Sequence, residues 1–138
     1  MSPRFVPATV HELAQIGLLA ELPGETLTKL AGRMRRDEIG AGSGVILEGE
    51  EGDRFYVILR GLFAVSNVGA LGPRRVLRPG DYFGEVALAM NIPRTASVTA
   101  LTPSTVASCD RATFEEFVRP LFADDREPSP RGSGPPGR

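Results

Sequence analysis

Residues 80–98 read GDYFGEVALAMNIPRTASV. Gly84 and Glu85 open a short apolar run, and Arg94 follows Pro93 after a turn. EVALAM favours helix but is only a turn or two long. The start of such a helix exposes unpaired amides, here those of Glu85, Val86, Ala87 and Leu88. With the helix dipole they favour an anion. A carboxylate there would repel a bare phosphate, so Glu85 makes sense as an acceptor for a hydroxyl beside the anion. Arg94 supplies paired donors in a fixed geometry. Pro93 stiffens the backbone that aims it, and Thr95 adds a hydroxyl. The stretch reads as a holder for one compact anion with an adjacent hydroxyl.

Working outward, the flanks are rich in short β-prone runs. VILE, FYVILR, LFAVSNV and RRVLR precede the stretch, and TASVTAL and TVASCD follow it, with glycines between many of them. Close-spaced strands with turn signals predict a sandwich or barrel. Upstream, VHELAQIGLLA (10–20) predicts a short amphipathic helix. Leu27, Leu30, Ala31 and Met34 predict a second one, started by Pro23 and running to about Arg36. The basic run GRMRRDEIG then reads as its solvated end. Downstream, Asp110 is a cap for a last helix whose apolar face is Phe114, Phe117, Val118 and Leu121. Pro120 is expected to stop that helix. ADDREPSPRGSGPPGR has no apolar period and reads as disordered linker.

The fold class expected is therefore mainly β with flanking helices. It is an eight-stranded, jelly-roll-like β-roll with short N-terminal helices, a short helix at residues 85–90 and a short C-terminal helix. Residues 1–9 are expected to be a tail, 10–122 the domain, and 123–138 a disordered Pro/Gly-rich tail.

Composition narrows the function. The 138 residues suit one domain. A formal net charge of −1 gives no support for nucleic-acid binding. One cysteine, Cys109, cannot form an internal disulfide, which fits a reducing cytoplasm and a packing role. One histidine, His11, is expected at the surface, and one His with one Cys cannot build a zinc-type cluster. No run of about 18 apolar residues predicts a membrane span. No catalytic residues, metal or cofactor are expected.

The stretch resembles the phosphate-binding cassette of the cyclic nucleotide-binding domain family. That pattern is Phe-Gly-Glu, a short apolar turn, then Pro-Arg followed by small residues. Here it is Phe83, Gly84, Glu85, Val86, Ala87 and Leu88, then Pro93, Arg94, Thr95 and Ala96. LLAELPGETLTKLAGRMR, ILEGEEGDRFYVILRG and CDRATFEEFV extend the likeness over about residues 10 to 122. The resemblance implies that Glu85 binds a ribose 2′-hydroxyl and Arg94 the cyclic phosphate. It gives Gly84, Leu88 and Ala96 to the cassette, with backbone amides of Val86, Ala87 and Thr95 around the phosphate. It places Ile46, Val65 and Leu77 near the base. The ligand implied is cyclic AMP, with cyclic GMP binding comparably or more weakly.

The function expected is thus a non-catalytic regulatory module reporting to an unidentified effector domain or protein. The alternative is a roll that no longer binds ligand and serves as a protein-docking domain. A cupin-type enzyme would need several histidines. A cyclic-AMP-receptor-type transcription factor would need a DNA-reading helix, which EPSPRGSGPPGR cannot supply. With no long helix expected after Phe122, the cover for the base is expected from outside residues 1–122.

Overall fold

The structure is a computed structural model that describes residues 6–66, 75–90 and 92–125. α1 (Val10–Ala14) and α2 (Gly24–Arg33) precede six strands: β1 (Arg35–Ile39), β2 (Gly44–Ile46), β3 (Arg54–Arg60), β4 (Phe63–Ser66), β5 (Arg75–Leu77) and β6 (Tyr82–Phe83). α3 (Glu85–Met90) leads into β7 (Ser97–Ala100) and β8 (Ser104–Asp110). The chain then forms one helical arm, made of α4 (Arg111–Thr113), a π turn (Phe114–Val118) and α5 (Arg119–Asp125). The strands make two antiparallel sheets, ordered β1-β8-β3-β6 and β2-β7-β4-β5. The eight-stranded roll is as expected.

Two cores explain the layering. Between the sheets, Ile58, Phe83 and Val106 meet Ile46, Phe63, Leu77, Val98 and Ala100. On the outer face of the first sheet, Phe55, Val57, Ala107 and Cys109 meet Leu13, Ile16, Leu30, Phe114 and Val118 from the helices. β8 is consequently buried on both faces, from Ser104 to Cys109. Small residues in STVASC let it be sandwiched that way. Burial pushes the Cys109 thiol up to about 12, consistent with packing rather than reactivity.

Four local expectations are corrected. The 10–20 helix ends at Ala14. Beyond it, Ile16, Leu19 and Leu22 amides each donate to the carbonyl three residues back. The segment is a run of turns, with Ala20 N also donating to Ile16 O, and it buries Ile16 and Leu19 beside Leu13. Thr9 and Glu12 cap α1 reciprocally, a signal present in the sequence as TVHE. α2 stops at Arg33, because Met34 is extended and Arg35 enters β1 to pair with Ser108. The basic run is therefore split: Arg36 pairs with Glu12 and Glu38 inside the strand. Arg33 pairs with Glu116 and lies over the Phe117 ring.

The third correction concerns the expected N-terminal tail. Its described part is docked: Ala8 N donates to Met34 O and Arg36 N to Val6 O. The fourth concerns Pro120, which does not end the last helix. In the π turn Arg119 N donates to Phe114 O, five residues back, so the ordinary ladder is already broken before the proline. Pro120 then stands in the first turn of α5, where its missing N–H is no loss. Burial of Phe114, Phe117 and Val118 contributes about 1.5–3 kcal/mol per side chain. That outweighs the roughly 1 kcal/mol of a distorted helical hydrogen bond. The tail expected from residue 123 therefore starts later, because α5 continues through Asp125, and residues 126–138 lie outside the described ones. Among the described residues no helix is long and apolar enough to cross a membrane.

Candidate functional site

The site is built at the junction of β6, α3 and the segment before β7. Phe83 is pinned between the sheets, stacked on Tyr56 with centroids 4.9 Å apart and tilted against Phe63 at 5.9 Å. The next residue, Gly84, turns the chain with φ +94°. A Cβ on Gly84 would lie 2.9 Å from Arg54 O and 3.0 Å from Arg94 Nη1. Glycine is needed there for both conformation and space. α3 then docks through Ala87 and Leu88, leaving Glu85 half-buried and Val86 and Met90 exposed.

Arg94 is placed by its own backbone. Its amide donates to Glu50 O at 2.7 Å, and its carbonyl accepts from Gly49 N at 2.9 Å. These bonds clip the segment to the β2–β3 loop and turn the side chain inward. The residue is only 6% exposed. Nη1 donates to Gly84 O at 3.0 Å and Nη2 to Arg54 O at 2.9 Å. Among the described residues no carboxylate forms an ion pair with it. Burial pulls the guanidinium below its ordinary value, while Tyr56, Asp53, Glu50 and Glu85 oppose that. Burial likewise raises the Glu85 carboxyl, opposed by its own amide, Arg75 and Arg94.

Nine of the eleven expected residues line one pocket: Gly84, Glu85, Val86, Ala87, Arg94, Thr95 and Ala96, with Ile46 and Val65. It encloses about 460 Å³ of empty space, part of it open to solvent. Two expected residues do not line it. Leu88 is 1% exposed and packs into the helix-side core. Leu77 pairs with Phe63 and is buried between the sheets. Two residues before Leu77 on β5, Arg75 pairs with Val65, and both reach the pocket.

Arg75 was not expected, yet strand alternation puts residues 75 and 77 on one face. Tyr82 and Val98 also line the pocket. Gly52 lies behind it: a Cβ there would come within 2.5 Å of the Arg94 guanidinium. Nothing local in EEGD announces that contact.

Chemically, the pocket offers a buried guanidinium with N–H groups to spare, a desolvated carboxylate, and walls of Ile46, Val65 and Val98. That suits an anion with a neighbouring hydroxyl and an apolar body. Glu85 and Arg94 form no ion pair with each other.

Residues 36–120 match the family described as cyclic nucleotide-binding domain. A cAMP-dependent protein kinase regulatory subunit of Yarrowia lipolytica is 36% identical over 118 residues, covering 86% of this chain and 32% of the relative. Among solved structures, a cAMP-bound PfPKA-R is similar at a TM-score of 0.77 and 28% identity, covering 83% of this chain and 40% of that one. The regulatory subunit of a cAMP-independent protein kinase A from Trypanosoma cruzi, bound to guanosine, is similar at a TM-score of 0.76 and 27% identity, covering 85% and 42%. The chain spans roughly a third of the curated relative's length.

Proposed function

The chain belongs to the cyclic nucleotide-binding domain family, and we propose that it binds a cyclic ribose phosphate at this pocket without catalysing a reaction. In this reading Arg94 takes the phosphate and Glu85 the ribose 2′-hydroxyl. Gly84, the backbone amides of Val86, Ala87 and Thr95, and Ala96 complete the phosphate end. Ile46 and Val65 face the base. The bound state passes to an effector of the protein-kinase class, in a cytoplasmic setting, by a shift in the cassette and flanking helices. The regulatory-subunit names of the relatives support that partner.

The observation that carries the reading is Arg94. Burying a charge without a counter-charge costs several kcal/mol. An anionic ligand repays that cost, and among the described residues no carboxylate pairs directly with the guanidinium. Titration calorimetry of the full chain with cyclic AMP and cyclic GMP tests it. Heat with neither nucleotide would leave the docking-domain alternative.

Cyclic AMP is the first ligand on the relatives' names. One observation favours a second reading, cyclic GMP. Arg75 pairs with Val65 across the strands and lines the pocket, and arginine donates in pairs to guanine O6 and N7. Arg75→Ala is then expected to weaken cyclic GMP about tenfold and cyclic AMP less than about twofold. Equal losses for both nucleotides would make Arg75 a general charge instead.

Glu85 gives a stability test with a definite sign. Its folded value lies above the ordinary 4.5, so the native state holds its proton longer than the unfolded chain. Its contribution to stability is present below pH 4.5 and is lost as pH rises through the folded value. Glu85→Gln should melt like the wild type near pH 4, melt higher at pH 7 without ligand, and bind nucleotide more weakly. Parallel melting profiles from pH 4 to 7 would show that the carboxylate is not strained by the pocket.

A further inference from the structure

The C-terminal arm holds α3 through contacts that ligand binding alone does not require. Any helix leaves its last four carbonyls without partners inside it. In α3, Ala87 O accepts from Ile92 N at 3.2 Å. Leu88 O accepts from Arg111 Nη1 at 3.2 Å, and Ala89 O from Arg119 Nη2 at 3.0 Å. Two cations at a helix C-terminus also suit its dipole. Arg111 Nη2 donates to Gly52 O at 3.2 Å as well. Gly52 is the residue against which the Arg94 guanidinium lies. One arginine therefore fastens both α3 and the support of Arg94 to the arm. Glu115 orients the other, through Arg119 Nε and Nη2.

The π turn explains why both arginines face α3. In a regular α-helix, residues eight apart are about 80° out of phase. A π turn absorbs one residue, so residues 111 and 119 behave as if seven apart, about 20° out of phase. The same phase brings Phe122 edge-on to Tyr82, a pocket residue, with centroids 5.6 Å apart.

We infer that Arg111 and Arg119 are positioning residues for the pocket: the arm, phased by its π turn, holds α3 and Gly52 where Glu85 and Arg94 engage one ligand together. The inference rests on the ligand-binding reading above.

The test uses the full chain, cyclic AMP and cyclic GMP, and the variants Arg119→Ala and Arg119→Lys. The Arg119 side chain is 43% exposed, so its loss should leave the melting midpoint near that of the wild type. Arg119→Ala is expected to bind the preferred nucleotide about five- to tenfold more weakly. Without ligand, its amides at 85–90 and 119–125 should exchange faster. Arg119→Lys should recover part of the affinity, and ligand should slow exchange at 119–125 in the wild type. Wild-type affinity and exchange in Arg119→Ala would overturn the inference. So would a loss matched by a lower melting midpoint and not relieved by lysine. Failure of the ligand reading itself would appear separately, as a wild type that binds neither nucleotide.

Discussion

Arg94→Ala is expected to weaken cyclic-nucleotide binding by about 30-fold or more while leaving the ligand-free fold nearly as stable. The binding loss follows from removing one partner of a buried charge pair, which costs roughly 2–5 kcal/mol, and about 2 kcal/mol corresponds to 30-fold. Stability is a balance of two opposed effects. Hydrogen bonds from a charged donor are worth about 1.5–3 kcal/mol each, and Arg94 makes two, to Gly84 O and Arg54 O. Against them stands the several-kcal/mol cost of burying its charge with no ion-paired carboxylate among the described residues. Water entering from the open side of the pocket can also satisfy the released carbonyls. The two sides nearly cancel. Arg94→Lys keeps the charge but not the paired donors, so it should fall between wild type and alanine. Calorimetry and melting on the three proteins check this. Wild-type affinity in the alanine variant would remove Arg94 from the phosphate site, and a collapsed fold would make its role structural.

Glu85 and Arg94 were legible in the sequence because their placement is local. A glycine turn, a short helix and a Pro-Arg segment fix both within residues 84 to 94, and both line the pocket. Leu77 and Leu88 failed for the opposite reason. A leucine on a roll can face pocket or core, and only pairing with Phe63, or docking under the helices, decides which. Pro120 misled because proline rules describe an unbroken α-helix. The π turn before it depends on where Phe114, Phe117 and Val118 find their cores. Arg36 reads as a helix end in the sequence, but in the structure it lies in β1 and pairs with Glu12, 24 residues earlier. These corrections concern long-range partners, while the residues proposed to hold the anion sit on short-range geometry.

Gly52 is where long-range geometry should have its largest unannounced effect. Gly52→Ala is expected to cost at least about tenfold in nucleotide affinity, as for the loss of one well-placed hydrogen-bond set of about 1.4 kcal/mol. The new Cβ would fall 2.5 Å from Cζ and Nε of Arg94 and 2.8 Å from Nη1. That contact cannot persist. The guanidinium is the far end of a flexible side chain, so it moves and the backbone stays. Moving it breaks its bonds to Gly84 O and Arg54 O and takes its donors away from the phosphate position. Stability should change little, because a guanidinium displaced toward the open side of the pocket regains water as it loses those two bonds. Gly52 is not among the positive-φ glycines, so alanine adds no such strain there. It also narrows the unfolded ensemble, worth about 0.4–1 kcal/mol in favour of the fold. A double-mutant cycle isolates the cause. In an Arg94→Ala background the clash has no partner, so Gly52→Ala should cost no further affinity and should raise the melting midpoint. Additive losses in the double variant would mean that Gly52 acts on the ligand by another route, such as its carbonyl bond to Arg111.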